Sequence, residues 1–183
     1  MIARFGATAV PWTVGWTGEE SFRIGHCHYS QMPAICQAVA PGVGKPSFGK
    51  PHWNRQRECI AECRCDLCGK SVKSATKVSL SHARPVAHGA QGLAILQVEP
   101  LLHRACAAES TKFCPSLKRD IAVGTLMIRQ VTRWRVQFAI MGPQFVSHYV
   151  PGYEAKPHER IVGAAKVELM GWIDRDMNWL QEP

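Results

Sequence analysis

Four side chains in the middle of the chain have the types and spacing to hold one metal ion: Cys65 and Cys68, then His103 and Cys106. The first pair sits in C-x-x-C-G, a turn that aims two thiolates at one ion, its glycine allowing the tight backbone. The H-x-x-C pair completes a tetrahedral Cys3His set. A closed set of four protein ligands is structural, because catalytic zinc keeps a position open for water. The expectation is one structural Zn2+ per chain and no metal catalysis. Cys114 lies eight residues after Cys106, roughly on the same helical face, and is the substitute fourth ligand if His103 is not one. His26, Cys27, His28, Cys36, Cys59 and Cys63 are also metal-capable. Their spacing matches no standard site, so buried free thiols are the default for these cysteines and a second site the alternative.

A second kind of chemistry lies between the ligand pairs. Ser81-His82-Ala83-Arg84-Pro85, followed by His88-Gly89-Ala90, resembles the D/N-H-x-x-P segment of four-cysteine HNH endonucleases. That resemblance implies His82 as a general base activating water, with a divalent ion on the phosphate. The chain departs from the pattern in three places. Ser81 stands where an acidic or amide metal ligand belongs, no asparagine follows between 83 and 110, and the helix after Cys106 offers Lys112 rather than a histidine. A metal-dependent nuclease is therefore the runner-up reading.

The bulk of the chain bounds the partners. It has 183 residues, 46% of them hydrophobic, enough for one domain or a domain with extensions. No apolar run is long enough to span a membrane, and the N-terminal apolar stretch is broken by Gly6 and Pro11, unlike a signal peptide. A cytoplasmic location follows, where cysteines serve metals rather than disulfides. Net charge is +8, with 6 basic and 3 acidic residues over 1–60, 9 and 5 over 61–120, and 7 and 6 over 121–183. A basic excess in the first two thirds is compatible with nucleic acid.

The elements that must position these residues follow from pattern. Short strands are expected around Ala9–Trp16 and Ser21–Gly25, in a flap packed on the core. Residues 41–51 hold six Gly or Pro, which excludes a helix or central strand. They read as a basic arm through Lys45, Lys50, Arg55 and Arg57, with Phe48 and Trp53 as apolar anchors. Lys70, Lys73 and Lys77 alternate with Val72, Val78 and Leu80, as in a β-hairpin leaving the knuckle with its lysines in water. Residues 93–98 suit a buried strand, and Ala105–Phe113 a helix closed by Pro115, so that knuckle, hairpin and helix form a treble-clef-like centre. Thr125–Val131 and the alternation of Trp134, Val136, Phe138 and Ile140 read as β, turning at Gly142-Pro143 and returning over Phe145–Val150. Val167, Met170, Ile173, Met177 and Leu180 recur at threes and fours, which predicts a C-terminal helix over 163–180.

The segments CDLCGK (65–70) and HRACAAESTKFCPSL (103–117) resemble a group of uncharacterised phage and prophage proteins, with a CxxCG knuckle, an HxxCA segment and a CPxL close. The likeness covers roughly residues 60–180 and implies a small zinc-binding phage protein made in the infected host cell. The fold class expected is α+β, with an N-terminal extension (1–58), a zinc module (59–120) and a β-hairpin plus C-terminal helix (121–183) packed on it. The function expected is non-enzymatic binding of nucleic acid, or of a nucleic-acid-handling host or phage protein. Lys45, Lys50, Arg55, Arg57, Lys70, Lys73 and Lys77 are the candidate contacts. A virion component that uses the N-terminal arm is a further alternative.

Overall fold

The computed structural model describes residues 2–87, 92–154, 156 and 158–182. The chain is mixed α+β. In order it forms β1 (Ala3–Phe5), β2 (Thr8–Val10), β3 (Val14–Trp16), β4 (Phe22–Cys27), β5 (Met32–Gln37), β6 (Pro46–Pro51), α1 (Trp53–Ala61), β7 (Lys77–Ser81), β8 (Val86–Ala87) and β9 (Leu93–Gln97). There follow β10 (Leu102–His103), α2 (Arg104–Phe113), α3 (Pro115–Ala122), β11 (Met127–Met141), α4 (Pro143–Tyr149), β12 (Ile161–Arg175) and α5 (Met177–Gln181).

Two long strands form the spine. β11 and β12 pair antiparallel from Met141↔Ile161 to Ile128↔Arg175, with bulges near Thr132 and Ala139. β7 pairs with the outer edge of β11, and β10 with β7. The far edge of β12 is shared: Val162 meets Ala34 of β5, while Val167–Leu169 meet β9. β4 completes a hairpin with β5. One main apolar cluster joins Val78, Leu80, Ile95, Ile128, Val131, Val167 and Leu169 of this sheet to Ile60 of α1 and to Cys65 and Leu67 of the knuckle. α1 is bound to β12 by polar contacts as well. Gln56 donates to the Ala165 and Val98 carbonyls and accepts from Ala165 N–H, and Arg57 donates to the Gly163 carbonyl at 2.7 Å.

Three sequence-based expectations give way here. Residues 163–175 are strand, and only Met177–Gln181 are helical at the C-terminus. Ile161, Ala165, Val167 and Leu169 share odd positions and are buried, a period-2 stripe masked by apolar residues that also fall at helical spacing. The stretch after Gly142 is α4, with Pro143 in its first turn, rather than a returning strand. β7 leaves the knuckle but pairs with β10 and β11, so it is an inner strand of the sheet and not one arm of a free hairpin. The Gly/Pro-rich arm does contain a strand, β6, which pairs only at the periphery with β3, as proline requires. No helix among the described residues is long and apolar enough to cross a membrane.

Candidate metal centre

The donor atoms of Cys65, Cys68, His103 and Cys106 all lie within 4.8 Å of one another, the one such group among the described residues. His103 Nδ1 is 3.5 Å from Cys68 Sγ and 3.9 Å from Cys106 Sγ. Donors at bond lengths of about 2.1–2.3 Å around a tetrahedral ion sit about 3.5–3.8 Å apart, so these separations fit a single ion. The other ring nitrogen of His103 donates to the Ser71 carbonyl at 3.0 Å. That bond places the proton on Nε2 and leaves the Nδ1 lone pair facing the thiols, the arrangement a ligating imidazole needs.

Local backbone makes this convergence. Gly69 N–H donates to the Cys65 carbonyl and Cys65 N–H to the Lys70 carbonyl, closing the knuckle. Gly69 has φ +69°, and a Cβ there would come within 2.7 Å of the Trp12 ring. Asp66 N–H donates to the Leu101 carbonyl at 3.0 Å, tying the first ligand pair to the segment entering the second. His103 is the N-cap of α2, and Cys106 lies in its first turn, where the positive end of the helix favours a thiolate. The Cys106 thiol donates to Cys65. This bond, against the opposing effect of burial, holds the Cys65 thiol well below the ordinary cysteine value, helped by N–H groups of Cys68, His103 and Leu67. The same bond pushes Cys106 upward.

An N-terminal brace supports the knuckle, and it carries no sequence signature. Trp12 N–H donates to the Asp66 carbonyl, its ring lies against Gly69, and the Arg64 guanidinium sits 6.0 Å above it. The Thr13 hydroxyl donates to Asp66 Oδ1. Burial raises the Asp66 carboxyl to about 6. Arg55 donates from Nε to the Trp12 carbonyl and from both terminal nitrogens to Glu19, at 2.7 and 2.8 Å.

Arg55 is therefore buried and internally paired, and Arg57 is 3% exposed, bonded to Gly163, Asn54 and Cys36 Sγ. Neither can serve as a surface contact to nucleic acid, which corrects the sequence-based assignment. Both belong to α1, whose inward face the composition of the arm concealed. Lys45, Lys50, Lys70 and Lys73 are exposed. Lys77 is partly covered, 4.9 Å over the Trp134 ring and bonded to the Lys73 and Ala75 carbonyls.

Cys114 caps α2 and opens α3, outside the donor group. Cys27, Cys36, Cys59 and Cys63 are buried free thiols. Burial pushes Cys59 and Cys63 upward, as expected of inert core thiols. His82 stands 79% exposed, 3.9 Å from Asp120 Oδ2, and belongs to no metal-donor group among the described residues. Ser81 Oγ accepts from Arg129, and Lys112 pairs with Glu109 at 3.3 Å. His88, Gly89 and Ala90 lie outside the described residues. Holding one ion, the four-residue centre could fix two separated chain segments to each other. No protein-family model, curated protein or solved structure matches this chain.

Proposed function

We propose that this chain is a zinc-stabilised, non-enzymatic binding protein of phage type whose target is nucleic acid or a nucleic-acid-handling protein. The observation that carries the structural half is His103, with one ring nitrogen bonded to the Ser71 carbonyl and the other facing the three thiols. Three thiolates and one imidazole at tetrahedral separations suit Zn2+ above harder divalent ions. Knuckle, inner strand β7 and helix α2, with ligands at the turn and in the first helical turn, make a treble-clef-like arrangement. Zinc binding then contributes to folding, on the order of 10 kcal/mol in small zinc domains. The exposed lysines at 45, 50, 70 and 73 and the net charge of +8 support a polyanionic partner. The resemblance of residues 65–70 and 103–117 supports a phage protein acting inside the infected cell.

The test is oligonucleotide binding by the zinc-loaded full chain across a salt series. Phosphate-driven binding weakens steeply between ~50 and ~200 mM salt. Absence of binding at the low end points to a protein partner instead.

A further inference from the structure

A cavity of about 660 Å³ lies away from the four metal donors, between the β3–β6 ribbon and the α1–α4 side of the sheet. That is within the range of small-ligand sites, roughly 300–1,000 Å³. Its walls are aromatic: Trp16, Phe22, Trp53 and Tyr149 all line it. The rings hold one another in place. Tyr149 meets Phe22 edge-on at 5.2 Å and Trp53 edge-on at 5.0 Å, and Phe145 backs both Trp53 and Tyr149. Such a set is pre-formed, so little side-chain ordering remains when a ligand enters.

Two polar features give this cavity a chemical preference. Gln37 is 9% exposed and lines the cavity. Its Oε1 accepts from Trp53 N–H at 3.0 Å, which fixes the amide orientation. Its Nε2 makes no hydrogen bond among the described residues and so offers a donor to whatever fills the space. Lys50, exposed on β6, stands on the wall, with Lys45 just before the same strand. A ring with acceptor edges and an attached anion satisfies all three features. A bare cation does not, since Lys50 repels it, although Glu20 also reaches the lining.

We propose that this cavity receives an unpaired base of a single-stranded nucleic acid, with the ring among Trp16, Phe22, Trp53 and Tyr149, a base acceptor on Gln37 Nε2 and the adjoining phosphate at Lys50. Base stacking on aromatic side chains tolerates any sequence, and a basic strand beside it tracks the backbone. The inference rests on the nucleic-acid reading above and adds strand state and site to it. It also gives a role to the Gly/Pro-rich arm, which becomes one wall of the cavity.

The experiment measures fluorescence anisotropy of the zinc-loaded full chain with labelled strands of about 15 nucleotides. The probes are a mixed single strand, the same length as duplex, and the same length with abasic sugars. The expected order is single strand far tighter than duplex or abasic strand. Tyr149→Ala should weaken single-strand binding about ten-fold or more, while Tyr149→Phe preserves it. Lys50→Glu, on the surface and harmless to folding, should weaken it too. Equal binding of abasic and normal strands overturns the cavity assignment but leaves nucleic-acid binding standing. So does loss of binding in a Lys70→Glu/Lys73→Glu variant with none in the cavity variants. Failure of every strand to bind at ~50 mM salt overturns the cavity assignment and the nucleic-acid target together, leaving the protein partner.

Discussion

Replacing Glu19 by Gln should destabilise the fold severely without touching a metal ligand. The Glu19 side chain is fully buried. It accepts from both terminal nitrogens of Arg55 and from the backbone N–H groups of Trp16 and Ala40, each at 2.7–2.9 Å. Burial alone would raise its pKa, but Arg55 and the two N–H donors reverse that and bring the carboxyl down from 4.5 to about 2. At ~1.36 kcal/mol per pH unit this displacement corresponds to about 3 kcal/mol of stability. An independent expectation for breaking one side of a buried ion pair is about 3–5 kcal/mol. The assay is urea unfolding followed by tryptophan fluorescence, wild type against Glu19→Gln, in the presence of zinc. The sign with pH is determined: a lowered carboxyl stabilises above its unfolded value and loses that contribution as pH falls through the folded one. The gap between the two proteins should therefore narrow by about 1 kcal/mol from pH 6 to pH ~3.5. Any acid-linked loss of a bound metal would act on both proteins alike, so the difference isolates the carboxylate. A gap below ~1 kcal/mol at pH 6, or one independent of pH, refutes the reasoning.

Other outcomes are equally specific. Gly69→Ala forces a side chain into a left-handed backbone and against the Trp12 ring, and should lower stability by about 1–2 kcal/mol or more, read as a fall in urea midpoint. Cys114→Ser should leave zinc content unchanged, because Cys114 lies outside the donor group; a halved content would return it to the ligand set. Lys45→Glu together with Lys50→Glu should flatten the salt dependence of oligonucleotide binding by about two in the log–log slope. Plasmid nicking with magnesium or manganese should be absent, and nicking abolished by His82→Ala would establish the nuclease alternative.

The four metal-capable residues were readable from spacing because the chemistry needs short local pairs. The knuckle and the first turn of α2 each place two ligands by local geometry. What braces them was not readable. Trp12, Thr13, Glu19 and Arg55 come together through contacts 36 to 53 residues apart in sequence, and nothing in the spacing of a lone arginine or glutamate announces burial. Arg55 and Arg57 illustrate the cost: counted as surface charge from their basic neighbourhood, they lie inside because α1 turns that face toward Glu19 and β12. β12 failed for a different reason. Its apolar residues satisfy periods of two and of three to four at once, and pairing with β11 along its length decides for strand.

The most direct measurement is native mass spectrometry of the chain purified without chelator, beside the Cys68→Ser variant. The expected result is one zinc ion per wild-type chain and none retained by the variant, with its thermal unfolding shifted down. A wild-type chain free of metal and still cooperatively folded, or a Cys68→Ser chain that keeps its zinc and its melting temperature, contradicts the claim that Cys65, Cys68, His103 and Cys106 hold the ion on which the fold depends.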